Sequence, residues 1–373
     1  MIKRHRLAFF NNLCRHPCTQ WFFLVVLTAV FSAVLLILRL PAALLLGPIF
    51  AGIVLSTLKA TVRMPAKAHV GAQALIGGLI ANAITPAIGR TFLEHWPWFM
   101  VGVISTLLAS SLLGVVLSRL RVLPGTTAIW GTTPGAATAM VLMAESWGAD
   151  VRLVAFMQYL RVIMVVLAAA AIAHFWLHLN SVSRPLPNLL PPVDWLACAQ
   201  TLVVLAIAAF IGIRLRVHAG AMLLPMAAAI TLHLGGWLRI ELPPLLLAVT
   251  YAVIGWSIGL RFTREALRYS LRALPPILAA IIMLILICGA LSWLLARASG
   301  VDALSAYLAM SPGGMDTVAI IAASSPVDVP FVMTLQAVRL LVVIAFGPRL
   351  ARCVANMTAP RSHPVPATPT DRL

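Results

Sequence analysis

Long apolar runs, separated by short polar connections, follow one another along almost the whole chain. Runs of roughly 17–25 apolar residues are long enough to cross a bilayer as helices. The pattern predicts spans over 20–38, 41–58, 69–88, 97–118 and 152–177, and then over 195–213, 218–235, 243–260, 274–295 and 328–348. The protein is therefore expected to be an all-α, multi-pass membrane protein whose two halves are joined by a Pro-rich linker, 179–194.

Each half also contains one apolar stretch that proline and glycine interrupt. The stretch 125–147 contains Pro134 and Gly135, and the stretch 302–324 contains Pro312 and Gly313. Proline and glycine together break a helix, and a break inside a membrane is tolerated only where it is buried in protein or lines a wet cavity. Matching breaks in two halves of one chain are typical of transporter binding sites.

The two halves also match residue by residue. Five pairs of identical residues stand 178 positions apart: Pro134 and Pro312, Asp150 and Asp328, Gln158 and Gln336, Arg161 and Arg339, and Gly77 and Gly255. A fixed offset maintained over about 120 residues indicates an internal duplication.

The distribution of Lys and Arg tests how the two repeats are oriented. If each broken stretch enters and leaves on one side, each repeat has five full spans, and 20 of the 27 basic residues lie in the cytoplasm. Five then lie outside, and Arg161 and Arg339 lie within spans. If the breaks crossed fully, the four Arg of 261–272 would lie outside, against the tendency of basic residues to stay inside. The charges therefore favour two inverted repeats, each with five spans and one broken or re-entrant segment.

Composition agrees with this architecture. Hydrophobic residues make up 61% of the chain and charged residues 10%, whereas soluble proteins carry about 25% charged residues. The net charge of +17 is explained by cytoplasmic loops, because no DNA-binding signature is present. We predict a basic cytoplasmic N-terminus (1–19), repeat one (20–178), the linker (179–194), repeat two (195–350) and a disordered cytoplasmic tail (351–373).

Polar residues within the spans are the candidates for function, because an Arg or Asp at the bilayer centre costs at least about 2.5–3.5 kcal/mol. Each Gln precedes its Arg by three residues, so the two share one helical face. They could face a central site that attracts an anion, or each Arg could pair with an Asp or a carbonyl of the break and hold the break in place. The predicted binding residues are Pro134, Gly135, Gln158, Arg161, Pro312, Gly313, Gly314, Asp316, Thr317, Gln336 and Arg339. Asp150 and Asp328 are assigned structural or ion-pairing roles.

The sequence gives no reason to expect a metal or another cofactor. His174 and His178 have the spacing of a helical metal pair, but they lie at a span end beside Trp176. A belt of residues at the membrane interface explains them better. The five cysteines show no regular spacing and are predicted to be unpaired.

Three runs resemble the AbrB family of bacterial inner-membrane proteins: 40–48 (LPAALLLGP), 148–161 (GADVRLVAFMQYLR) and 311–319 (SPGGMDTVA). The resemblance extends over about 22–351 and includes the duplication. It implies a role in the regulation of gene expression, and a second label given to the family is ammonia monooxygenase. The family is distinct from the small soluble DNA-binding regulator of the same name.

The residues favour neither catalysis nor DNA binding. A copper monooxygenase needs clustered ligands, whereas the 9 His are scattered, so we expect no enzyme. Any effect on expression would be indirect. The expected partners are the lipid bilayer and a small-molecule or anion substrate, a homo-oligomer is left open, and direct nucleic acid binding is not expected. A transporter explains the breaks best, and a membrane sensor that borrows the same architecture is the alternative.

Overall fold

The computed structural model describes residues 17–358 except 39–41, 59, 85, 121–122, 124–125, 134–139, 141–143, 145–148, 179–191, 216–219 and 272. Regular secondary structure in this part of the chain is α-helical throughout. The helices of the first half are α1 Pro17–Ile37, α2 Ala43–Thr57, α3 Ala66–Ala83, α4 Pro86–Arg119, α5 Thr127–Thr132 and α6 Val151–His178. Those of the second half are α7 Trp195–Arg214, α8 Gly220–Leu234, α9 Pro244–Gly259, α10 Arg264–Ser270, α11 Leu274–Ser299, α12 Ala303–Met310, α13 Met315–Ala323 and α14 Val329–Thr358.

Five segments of the described helices are long and apolar enough to cross a membrane: Pro17–Ile37, Trp96–Arg119, Val151–Ile172, Trp195–Arg214 and Leu274–Ser299. These carry exposed apolar side chains such as Phe22, Leu112, Phe210 and Leu286, each at least 60% exposed. An apolar surface of this extent fits contact with lipid rather than water.

The other predicted spans are helical but shorter or bent. Helices α2 and α8 have 15 residues each, below the roughly 17–25 that a span needs. Helices α9 and α10 meet at a bend of 51°. Helix α14 runs on to Thr358, past the predicted domain boundary at 350. The N-terminal 1–16, most of the linker and the last residues, 359–373, lie outside the described residues.

Equivalent helices of the two halves begin at the expected offset. Helices α1 and α7 begin at 17 and 195, α3 and α9 at 66 and 244, and α6 and α14 at 151 and 329. Each pair of starting positions differs by 178. The hydrophobic pattern that repeats in the sequence thus folds into the same succession of helices twice.

Helices of one half pack directly on helices of the other. Helix α2 packs against α9, and α3 packs against α8. Glycines allow both crossings: a Cβ on Gly255 would lie 2.8 Å from Pro48 Cβ, and a Cβ on Gly77 would lie 2.6 Å from the carbonyl oxygen of Met222. The two crossings bind the halves into one unit.

The helices form two groups, and each group draws on both halves. Helices α1–α3 and α7–α9 form one group, called the scaffold group below, and α4–α6 with α11–α14 form the core group. The main contacts between the groups are those of α3 with α13 and α14, of α9 with α13, and of α10 with α6. Both broken stretches belong to the core group.

Candidate functional site

The second broken stretch consists of two short helices that meet at a buried connection. Helix α12 ends at Met310, residues 311–314 connect, and α13 begins at Met315. Ser311, Pro312 and Gly313 are buried, and Gly314 is half-buried. Protein therefore surrounds the predicted break.

The beginning of α13 carries the two remaining candidates of this break. The Thr317 hydroxyl donates to the carbonyl oxygen of Gly314 at 2.8 Å. Thr317 therefore stabilises the first turn of α13. The side chain of Asp316 lies outside the described residues.

Two side chains of α14 hold the C-terminal end of α12. Gln336 donates through Nε2 to the carbonyl oxygens of Leu308, at 2.7 Å, and Ser311, at 3.4 Å. Arg339 donates through Nη2 to the carbonyl oxygen of Gly313 at 3.0 Å and through Nη1 to that of Ser311. It also donates to Gln336 Oε1. The last carbonyls of a helix lack partners within it, and this pair supplies them.

The same arrangement occurs at the first broken stretch. Gln158 Nε2 donates to the carbonyl oxygens of Trp130, at 2.9 Å, and Thr133, at 3.2 Å. Arg161 Nη1 donates to those of Thr132 and Thr133, both at 3.2 Å, and Nη2 donates to Gln158 Oε1 at 2.7 Å. The Gln–Arg pair therefore holds the end of α5. Pro134 and Gly135, which would complete this break, lie outside the described residues.

The two Asp of the predicted set cap helices. The backbone N–H of Leu153 donates to Asp150 Oδ1 at 3.1 Å, and that of Phe331 donates to Asp328 Oδ1 at 3.0 Å. These bonds satisfy free N–H groups at the starts of α6 and α14.

The backbone of each Asp is tied to its broken stretch as well. The Asp150 N–H donates to Thr127 Oγ1 at 3.0 Å, and the Asp328 N–H donates to Ser305 Oγ at 2.9 Å. Thr127 and Ser305 are themselves 178 residues apart. Each Asp thus anchors the long helix to the first half of the break beside it.

Contacts of the core group bring the second break to the Arg161 helix. Helices α12 and α13 both pack against α6, and α14 packs against α5. A Cβ on Gly313 would lie 3.1 Å from Cγ1 of Val165, which is one helical turn from Arg161. The charges of Arg161 and Arg339 are close enough to interact.

One cluster at the start of α6 was not predicted from the sequence. The Tyr269 hydroxyl on α10 donates to Asp150 Oδ2, and Arg152 lies 5.7 Å from the centre of the Tyr269 ring. The hydrogen bond to Asp150 raises the pKa of Tyr269. Nearby, Arg261 lies 4.6 Å from the centre of the Tyr159 ring. Aromatic and basic residues in equivalent loops could have suggested such contacts, but only the fold pairs them.

The cluster occurs at one end of the repeat pattern alone. At the positions 178 residues away from Arg152, Tyr159 and Arg261 stand Pro330, Ala337 and Ala83. These residues cannot form cation–aromatic contacts.

A cavity of about 110 Å³ lies between the scaffold and core groups. Leu79 and Asn82 of α3 line one side, and Ala319 of α13 and Met333 of α14 line the other. Metal ligands are not gathered here or elsewhere in the described residues, which contain no group of three His, Cys, Asp or Glu suited to a metal ion. The side chains of His174 and His178 lie outside the described part.

Comparisons with known proteins give a consistent result. A family model described as transition state regulatory protein AbrB matches residues 44–355. The chain is 43% identical over 348 residues to a protein of Escherichia coli (strain K12) named "Putative regulator AbrB", covering 93% of this chain and 99% of that protein. A Bacillus subtilis (strain 168) protein named "Uncharacterized protein YhjN" is 24% identical over 318 residues, covering 76% of this chain and 78% of that protein.

Proposed function

Because the chain belongs to the AbrB family over residues 44–355, we propose that it is a multi-pass protein of the bacterial inner membrane with the architecture of a transporter. The family match takes in the helices from α2 to most of α14, including both broken stretches. Any function of the family in this chain must therefore be carried by a helical, membrane-like body.

The proposed topology has ten spans and two re-entrant broken segments in two inverted repeats, with both termini in the cytoplasm. Helix starts that recur at an offset of 178 residues support it. The 15-residue helices α2 and α8 would cross by packing on longer neighbours, whose backbones they approach closely at glycine. An odd number of spans in each repeat turns the second repeat upside down relative to the first.

One observation carries the proposal: the same buried Gln–Arg pair holds the carbonyl end of a broken helix in each half. A buried guanidinium is costly in a membrane, and a break exposes polar backbone. Two copies of this combination, packed into one core group, are the features from which transporters build a central site. The proposed substrate is a small molecule or anion that binds between the breaks.

This proposal explains the regulatory name of the E. coli relative without DNA binding. A membrane protein that moves or detects a solute alters gene expression indirectly, through the level of that solute. Catalysis is not part of the proposal, since the relatives' printed names describe no enzyme and the conserved-looking polar residues here hold backbone carbonyls. The bilayer is the constant partner, and assembly into homo-oligomers is compatible with the exposed apolar faces.

The printed name of the E. coli relative also supports a second function, that of a membrane sensor. A sensor would bind the solute at the same breaks but would not carry it across. The two functions differ in whether the site opens to both sides of the membrane.

Accessibility of position 314 tests the proposal. Gly314 is half-buried beside the break and has an ordinary extended backbone (φ −73°, ψ 143°), so Gly314→Cys should fold. In a variant whose five native cysteines are replaced, a membrane-impermeant maleimide would be applied to either side of oriented vesicles. A transporter predicts labelling from both sides, whereas labelling from one side alone contradicts transport and favours the sensor.

A further inference from the structure

Two buried positive charges lie in the core group. Arg161 is 3% exposed and Arg339 is 6% exposed. Their hydrogen bonds to the described residues go to backbone carbonyls and Gln side chains, and none goes to a carboxylate. Like charges repel more strongly as the local dielectric falls, so this arrangement favours an additional negative charge.

The sequence of the two breaks supplies one acidic residue for two arginines. The second break contains Asp316, and Thr138 stands at the equivalent position of the first. The two breaks with their arginines therefore carry an excess of one positive charge. A ligand with a single negative charge would balance it.

Two hydrogen-bond donors in this region have no partner. The Nε of Arg161 and the hydroxyl of Tyr307 are both shielded from solvent and make no hydrogen bond, and Tyr307 is only 5% exposed. A buried donor without an acceptor costs about 1–3 kcal/mol. Donors retained at this cost are suited to an acceptor that arrives with a ligand.

Packing brings these donors to one place. Helix α11 packs against both α6 and α12, and α12 packs against α6. Cys288 of α11 is fully buried, and its thiol interacts electrostatically with Arg161, Arg339 and Tyr307. The two free donors and both guanidinium charges thus surround one side chain.

We propose that Arg161 Nε and the Tyr307 hydroxyl bind one small monovalent anion, with the charge of Arg339 adding to its attraction. The proposal rests on the proposed function, because it assigns a substrate class to the same breaks. Guanidinium and hydroxyl donors suit a carboxylate, nitrate or chloride equally well in chemistry. A divalent anion would reverse the local charge and is disfavoured.

Thermal unfolding of the purified full chain in detergent tests the charge preference. Sodium acetate, nitrate and chloride would each be titrated against sodium sulfate at constant ionic strength, with unfolding followed by the fluorescence of the 10 Trp. A ligand that binds the folded state raises the melting temperature in proportion to occupancy. We expect a saturable rise with at least one monovalent anion over sulfate, and equal curves for all four salts would overturn the proposal.

Tyr307→Phe tests the assigned residue. The hydroxyl has no partner in this structure, so its removal should leave the melting temperature in sulfate unchanged or slightly higher, while the anion Kd should rise about tenfold, as expected for a hydrogen bond to a charged group. Tyr251→Phe is the matched control, because Tyr251 is similarly buried, at 7% exposed, and should keep the parent's anion response. An unchanged Kd in Tyr307→Phe would contradict the assignment.

The two proposals fail in different ways. Labelling of position 314 from both sides without anion-specific stabilisation would remove the anion and keep transport. Anion-specific stabilisation with labelling from one side would keep the site and replace the transporter with a sensor.

Discussion

At the scale of single residues, the Gln–Arg pair explains how a break survives in an apolar environment. Free carbonyls at the end of α12 need donors, and the planar guanidinium of Arg339 reaches two of them while Gln336 reaches the next turn. Gln336 also accepts from Arg339, so each side chain fixes the orientation of the other. The charge of the arginine further offsets the negative end of the helix dipole.

Arg339→Lys should therefore destabilise the protein, although it keeps the charge. A lysine cannot bridge Ser311, Gly313 and Gln336 from one planar group, and each carbonyl left unpaired costs about 1–3 kcal/mol. The melting temperature in detergent should fall clearly. Arg297→Lys is the control, since Arg297 is exposed and lies over the Trp293 ring, a contact worth at most about 1 kcal/mol at an exposed site. Equal melting temperatures for both variants would show that the fork is unimportant.

Substitution of Asp328 distinguishes a helix cap from an ion pair. If the carboxylate acts as a cap, Asp328→Asn should stay close to the parent, because Asn accepts the same bond from the Phe331 N–H, and Asp328→Ala should lose about 0.5–2 kcal/mol. An ion pair would make both variants equally unstable. Chemical denaturation of the purified protein measures the difference.

At the scale of helices, stability depends on close backbone approach between the halves. Gly255 lies against Leu45 and Pro48 of α2, and Gly77 lies against Met222 of α8. Small residues permit such approach in membranes, where helix association relies on packing rather than on the hydrophobic effect.

Gly77→Ala should destabilise this crossing by about 1–3 kcal/mol, the typical cost of overpacking, because the new Cβ would lie 2.6 Å from a backbone oxygen that cannot move freely. Gly71→Ala on the same helix is the matched control, since a Cβ there meets nothing within 4 Å. We expect Gly71→Ala to match or exceed the parent in melting temperature, as alanine favours helix more than glycine does. Equal losses in both variants would contradict the packing argument.

The sequence predicts much of the helix pattern because that pattern depends on local apolar runs and on a repeat that can be counted. The all-helical fold and the presence of membrane-length helices are confirmed. The acceptors of Arg161 and Arg339 could not be chosen from the sequence, because carbonyl and carboxylate partners fit the same spacing and only packing decides between them. The link between Tyr269 and Asp150 joins residues 119 positions apart, which no local pattern indicates.

At the scale of the whole molecule, the division into scaffold and core groups suggests where movement is easiest. Both breaks lie in the core group, and the cavity beside Asn82 lies at the boundary between the groups. Atoms beside a cavity lose packing contacts, so the boundary is a weak plane. At one end of it, the Tyr269 hydrogen bond to Asp150 ties α10 to α6.

Tyr269→Phe should loosen that end if the groups move relative to each other. We expect faster maleimide labelling of Gly314→Cys from the side on which Tyr269 lies, with little change in melting temperature because the hydrogen bond is exposed. Arg264→Gln, an exposed change on the same helix, is the control and should label at the parent rate. Unchanged labelling in Tyr269→Phe would show that this contact does not restrain the groups.

The crossing of α2 with α9 has a consequence for biosynthesis. Helix α2 ends at Thr57, and its partner α9 begins only at Pro244, so nearly half the chain must be translated in between. During that interval the glycine-facing surface of α3 and the facing side of α2 wait in the membrane without their partners. Contacts so distant in sequence form late, and the nascent first half therefore depends on insertion factors or lipid to keep it from aggregation and proteolysis until the second half arrives.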